Sequence, residues 1–346
     1  MKLIRVVVAA LCLPVLALLL VSMSLLSLPA QAWGPHGHQT VGAIADQLLV
    51  GSNTAKKVRS VLGSNLQTAA VWADCVKGVG QVKVGAPFVY DGSGPYPECD
   101  YYENPASQAA MEAFVKRNAT HCYSNSSDEV CRHKSYHYTD VSTRQTRYNP
   151  AAAGAGPHDI VAAINACISV LQGRPSPAPF DIRGQTEALR LLTHYLGDVH
   201  QPLHVVSVYL DKTGHVVDPD SGLFDPKTDT KGGNVIDDGS SRLHSVWDSI
   251  PGPLAIKLLA GEGAAAARQL PATTGAVTAW ATAWASDTVV SAQPAFSALT
   301  FGPQAGNGHW PATHGSDYSQ NRQALQRQQL IKGGARLAEL LRAIWP

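Results

Sequence analysis

Apolar residues recur at helical spacing in several separate stretches: Thr40 to Val50, Ala109 to Arg117, His158 to Gln172, Thr186 to His200, Ala276 to Ala292 and Gln320 to Ile344. Each repeats its apolar positions three or four residues apart, the pattern of a helix with one buried face. Alternating, strand-like runs are few. Between the helices lie stretches rich in Gly, Pro, Asp and Ser, notably Gly78 to Asn104 and Leu210 to Arg242, without the composition break of an interdomain linker. The pattern predicts a mainly α fold, a single helical domain over residues 33–346 with long loops. Long irregular loops in a compact domain are usually functional, or are held by disulfides or metals.

The first 32 residues follow a different rule. Lys2 and Arg5 precede a long apolar run, Val6 to Leu28, and small residues close it at Ala30-Gln31-Ala32. This is the layout of a signal peptide, predicting cleavage after Ala32 and a new N-terminus at Trp33. The run is also long enough to span a bilayer, but Pro14 and the Ala-x-Ala ending favour cleavage. No later run reaches the ~18 apolar residues of a membrane span, so the expected product is soluble and either secreted or periplasmic.

Composition sharpens this picture. The chain is 45% hydrophobic and 15% charged, which suits a folded core. It carries 27 Lys and Arg against 26 Asp and Glu, and without Lys2 and Arg5 the cations number 25. So neutral a surface does not grip a polyanion by bulk charge, and a nucleic acid would have to be held locally or through metal ions. Export permits disulfides. Cys167 falls in an apolar helical pattern and reads as a buried free thiol. Cys75, Cys99, Cys122 and Cys131 bracket polar sequence and permit three pairings, of which Cys75 with Cys99 and Cys122 with Cys131 is favoured. The sequons at Asn118 and Asn125 are glycosylation candidates in a eukaryotic host. Asp218, Asp225 and Asp229 lack the order of an EF-hand loop and read as a solvated turn.

Histidine, at 13 residues, carries the chemistry. His194 and Asp198 are four apart and share one helix face, where they can hold one ion. Pro202 disfavours helix in the residue before it, and the resulting turn can bring His204 back to the same pocket. A second unit of the same spacing follows at His244 and Asp248. Either unit alone is most simply a surface ion pair; two in one exported chain point to zinc, whose preferred donors are neutral imidazole and carboxylate. Trp72-Ala-Asp74, His137-Tyr-Thr-Asp140 and Trp33-Gly-Pro-His-Gly-His38 join them. A free α-amine, with an ordinary pKa of about 7.7–8.0, can lose its proton to a metal, so a processed Trp33 could chelate through its amine and carbonyl.

The ordered set Trp33 to His38, Trp72-Ala-Asp74, His137-Tyr-Thr-Asp140, His194-x3-Asp198-x-His-Gln-Pro-Leu-His204, Gly232-Gly-Asn234 and His244-x-x-Trp-Asp248 resembles the S1/P1-type zinc-dependent single-strand nucleases and 3′-nucleotidases, distantly related to zinc phospholipase C. The resemblance implies three zinc ions: one on Asp74, His137, His194 and Asp198, one on His204, His244 and Asp248, and one on Trp33, His38 and a second oxygen of Asp198. It implies single-stranded DNA and RNA and 3′-nucleotides as substrates, with 5′-phosphorylated products. Asp74 would orient the attacking water, Lys77 would add charge near the transition state or be an ordinary surface lysine, Tyr138 and Asp140 would hold a base, and Asn234 would fix the base or the phosphate; Tyr138 could equally be a core aromatic and Asp140 a partner of His137. The chain departs from the fungal pattern in a long insert, about 75–136, expected to form a disulfide-braced lobe near the cleft. Tyr138 stands where the fungal enzymes have Phe, and Lys77 where some have Arg. Two rival readings remain: a zinc phospholipase C acting on phospholipid headgroups, and a nonenzymatic exported zinc-binding protein. No protein partner is implied.

Overall fold

Residues 33–83, 85–91, 97–119 and 132–346 are described by a computed structural model of the protein. The signal-peptide reading, the Cys122–Cys131 pairing and the Asn125 sequon lie outside the described residues. Among the described residues no helix is long and apolar enough to cross a membrane.

Every helix expected from periodicity is present, and its true ends follow local chemistry rather than the apolar pattern. Helix α1 (Pro35–Leu49) begins before its first apolar stripe, because Pro35 in the first turn sacrifices no hydrogen bond. Helix α2 is the single turn Trp72–Cys75, and α3 (Pro105–Asn118) starts at an Asn104 cap. Helix α4 (Ile160–Leu171) starts where the Asp159 carboxylate accepts from the amides of Val161 and Ala162. Helix α5 (Gly184–Asp198) is buried on every side from Leu191 to Asp198. The short α6 (Leu243–Asp248), α7 (Val277–Ser291) and the long α8 (Tyr318–Ile344) complete the frame.

Helix α5 runs through the core, packed against α4, α1 and α8. Helix α1 lies between α8 and the turn Leu66–Ala69 at close range. At Gly42 the fit leaves no room for a side chain: a Cβ there would meet the Leu66 carbonyl oxygen at 2.5 Å and Gln67 Cα at 2.8 Å. Periodicity alone missed the helix Asn53–Leu62 and a four-stranded sheet. The sheet pairs Ile236–Asp238 with Ser241–Arg242 on one side and with Trp310–His314 on the other, and Leu299–Phe301 completes it. Its strands are too short for alternation to register.

Two connections matter for the site. A parallel pairing of Val141–Ser142 with Val206–Ser207, extended by Thr139 N–H to the His204 carbonyl (2.8 Å), fastens the segment after His137 to the segment after His204. The disulfide Cys75–Cys99 closes the start of the insert immediately behind Asp74. The insert's described parts are a hairpin of Val79–Gly80 with Val89–Tyr90, the turn Pro97–Tyr102, α3 and the turn Arg132–Ser135. Arg190 of α5 lies over both the Trp72 and Tyr102 rings, pinning this lobe to α2. Cys167 is buried and free.

The structure corrects one expectation outright. Asn118 is not available for a glycan: its side chain is buried, donates to the Phe114 and Asp181 carbonyls, and accepts from the Asp181 amide.

Candidate metal centre

The ends of α1, α2, α5 and α6, with the loops carrying His137 and His204, converge on one buried cluster. His38, Asp74, His137, His194, Asp198, His204, His244 and Asp248 are all buried. Three groups have donor atoms close enough to share an ion: His38 with Asp74 and His194, His137 with His194 and Asp198, and, with no member in common with these, His204 with His244 and Asp248. His38 therefore reaches the first group as well as Asp198, from which its Nε2 lies 3.3 Å.

Backbone carbonyls set the imidazoles. His194 Nδ1 donates to the Ala70 carbonyl (2.7 Å), His204 Nδ1 to that of His137 (2.9 Å) and His244 Nδ1 to that of Gly232 (2.7 Å). A carbonyl can only accept, so each Nδ1 carries the proton, and in the neutral ring Nε2 is left as a lone-pair donor facing the cluster. His137 turns the other way and offers Nδ1, 3.1 Å from His194 Nε2 and 3.0 Å from Asp198 Oδ2. The His38 ring stacks on that of His194 at 3.6 Å, and neither of its nitrogens has a hydrogen-bond partner. That stacking depends on Gly197, where a Cβ would lie 2.6 Å from His38 Nδ1.

Burial would lower the His194 imidazole, but the Asp198 and Asp74 carboxylates outweigh it and raise it, and burial pushes the Asp248 carboxyl well above its usual range; the other donors shift toward their metal-binding form. Burial pushes the His38 imidazole down to about 4, His137 and His244 to about 3, and lowers His204. His204 and His244 are thus neutral, yet their Nε2 atoms sit 3.1 Å apart, two lone pairs in contact with no proton to share. Asp74 and Asp198 lie below the usual carboxylate range. Burial alone would raise both, but Lys77 and His194 outweigh it at Asp74, and His194, His204 and His38 do so at Asp198. Asp198 presents each oxygen to a different set of rings: Oδ1 lies 3.3 Å from His38 and 3.4 Å from His204, Oδ2 within 3.1 Å of His137 and His194. One oxygen each of Asp198 and Asp248 is buried without a hydrogen bond. Lone pairs in contact and orphaned carboxylate oxygens are destabilising unless a cation stands among them, so the donor set fits divalent metal, and its nitrogen and oxygen composition suits zinc.

The remaining expected residues fall around this cluster. Trp33 is fully buried at the entry to α1, and the Gly34 N–H donates to the Asp248 carbonyl (2.9 Å), fastening that entry to α6. Lys77 Nζ lies 2.7 Å from Asp74 Oδ1. Tyr138 is half-buried and Asp140 buried; burial and the neighbouring Asp229 push the Asp140 carboxyl well above its usual range. Asp229 is therefore no simple turn residue. Asn234 donates to the Lys231 carbonyl (2.8 Å), and its Oδ1 is buried without a partner. His200 does not join the cluster: Nδ1 donates to the Leu196 carbonyl and Nε2 accepts from Arg336. Trp247 packs beneath α6, its indole N–H donating to Tyr318.

The reading by periodicity and spacing missed Gln201, whose amide donates to Asp248 Oδ1 at 2.6 Å. Its only sequence signal is its place inside His200-Gln-Pro-Leu-His204.

A family model described as S1/P1 Nuclease matches residues 33–346. The chain is 26% identical over 227 residues to Endonuclease 2 of Arabidopsis thaliana, covering 63% of this chain and 55% of that protein. It is 26% identical over 225 residues to Nuclease S1 of Aspergillus oryzae, covering 63% and 53%. The chain thus spans about half the length of these curated relatives.

Proposed function

The chain belongs to the S1/P1 nuclease family, and from that premise we propose that it is an exported phosphodiesterase that uses three zinc ions to cleave single-stranded DNA and RNA. Its products are 5′-phosphorylated, and it removes phosphate from 3′-mononucleotides. The observation that carries this reading is the contact of neutral His204 with neutral His244, Nε2 to Nε2, beside the orphaned oxygens of Asp198 and Asp248.

Asp74, His137, His194 and Asp198 would hold one ion, His204, His244 and Asp248 a second, and His38 with Asp198 and the Trp33 amine and carbonyl a third. Bound there, zinc supplies Lewis acidity to the phosphate oxygens and to the attacking water. The chain's own groups do the rest. The Asp74 carboxylate, held ionised, accepts a hydrogen bond from the attacking water and so aims it. Lys77, beside Asp74, places a cation where negative charge builds on the phosphate. Tyr138 offers a ring on which an unpaired base stacks, which favours single strands over duplex. The raised Asp140 carboxyl can donate as well as accept a hydrogen bond at a base edge, and Asn234 Oδ1 adds an acceptor.

The test uses protein beginning at Trp33. About three zincs per chain, and chelator-sensitive cleavage of single-stranded DNA and RNA to 5′-phosphorylated products, are the expected outcome. Zinc without such cleavage, but with headgroup release from phosphatidylcholine, would transfer the site to phospholipids. Zinc without any turnover would make it a binding protein.

A further inference from the structure

Asp248 is held twice, and the two holds do different things. Its backbone is fixed by neighbours: its carbonyl accepts from the Gly34 N–H (2.9 Å), and the flanking Trp247 and Ser249 carbonyls accept from the Gln326 amide of α8 (2.8 and 3.1 Å). These bonds satisfy carbonyls that the last turn of α6 leaves without intrahelical partners. They leave the carboxylate free to rotate about its own side-chain torsions. A metal ligand with that freedom can offer either oxygen, or both.

Gln201 removes the choice. It is fully buried, and the orientation of its amide is set by chemistry: Pro202 has no N–H, so the first free donor of the turn Pro202–His204 is Leu203, whose amide donates to Gln201 Oε1. The nitrogen side must then face the other way, toward Asp248 Oδ1 (2.6 Å). Asp248 Oδ2 is left buried, without a hydrogen bond, 3.5 Å from His244 Nε2, while the Gln201-bound Oδ1 stands farther off, 3.9 Å from His204 Nε2. We infer that Gln201 is a positioning residue for the site of His204, His244 and Asp248, capping the turn that delivers His204 and tying up one oxygen of Asp248 so that the other alone faces the ion. The inference rests on the metal reading above and goes one step further, to how one ligand is oriented.

Gln201→Met keeps the length of the side chain and removes both hydrogen bonds. In the mature protein, competition with a zinc chelator should show one zinc weakened about 10–100-fold and the others held as in the wild type. The unfolding midpoint in excess chelator separates the effects, because it reports loss of the turn cap without any metal contribution. Wild-type affinity at every site in Gln201→Met would overturn the inference. A wild-type protein that binds no zinc would overturn the metal reading and this inference with it, and the two failures are thereby distinct. Should Gln201→Met not fold, a crystal structure of the zinc-loaded wild type decides: Oδ1 on the Gln201 amide with Oδ2 on the metal supports the inference, and Oδ1 on the metal overturns it.

Discussion

Asp198 stands between two sets of imidazoles, one oxygen toward His38 and His204 and the other toward His137 and His194. Only a residue with two equivalent acceptor oxygens can serve both sides, and the amide of asparagine offers one. Asp198→Asn should therefore lower bound zinc to two or fewer and cut single-strand cleavage by about 100-fold or more, read by metal analysis and initial rates. Full activity in that variant would defeat the bridging role. His194 with Asp198 and His244 with Asp248 were legible in the sequence because i,i+4 spacing on a helix is itself a geometric statement, whereas His38, Asp74 and His137 were legible only through the family resemblance. The groups that aim them were not. The carbonyls of Ala70, His137 and Gly232 have no sequence signature, since every residue carries one, and Gln201 meets Asp248 across 47 positions of chain. Asp229 was misjudged for the same reason: its neighbour Asp140 is distant in sequence, and only folding makes the two carboxyls compete.

The helices that present these residues were visible as apolar stripes, while their ends and close approaches were not. Gly42 shows why: in the sequence it is one more small residue in α1, yet its missing side chain is what admits the backbone of Leu66 and Gln67. Gly42→Ala gains about 1 kcal/mol of helix propensity but overpacks against backbone that cannot rotate away, at a cost of about 1–3 kcal/mol. Net destabilisation by denaturant titration is the expected outcome. Helices α7 and α8 are joined by Asp287, which receives Lys332 and Arg336, each at 2.8 Å, while Arg336 also donates to His200. Burial would raise the Asp287 carboxyl, but the two cations outweigh it and hold it below its ordinary value. A depressed carboxylate contributes stability above its unfolded pKa, near 3.9, and that contribution is lost as pH falls through the lower folded value. Asp287→Asn should thus cost about 1 kcal/mol at pH 7, the partly exposed carboxylate being screened by solvent, and the gap to wild type should close below about pH 4. Thermal melts of both proteins across that range measure it; a gap independent of pH would show that shape rather than charge joins the two helices.

At the scale of the molecule, the cluster is a cross-link among segments far apart in the chain: the entry to α1, the turn behind the Cys75–Cys99 disulfide, the loop of His137, the end of α5 with its following turn, and α6. Hydrophobic packing alone could bring these segments together, but it would not choose to seat facing lone pairs and orphaned carboxylate oxygens at the point where they meet. Without metal the centre is a local penalty on the folded state; with metal it becomes a staple closing several loops at once. Each zinc held at a hundred times its dissociation constant stabilises by about 2.7 kcal/mol, so even two sites contribute about 5 kcal/mol. With an unfolding entropy of about 2.1 cal/mol/K per residue, each kcal/mol moves the midpoint of a chain of this size by about 1.5 °C. Chelation should therefore lower the midpoint by about 5–10 °C, and zinc should restore it, with calcium ineffective because it prefers oxygen-only ligand shells. A midpoint unmoved by chelation, in protein shown to have lost its zinc, would mean that packing carries the fold through its polar centre and that the metal is held for chemistry alone.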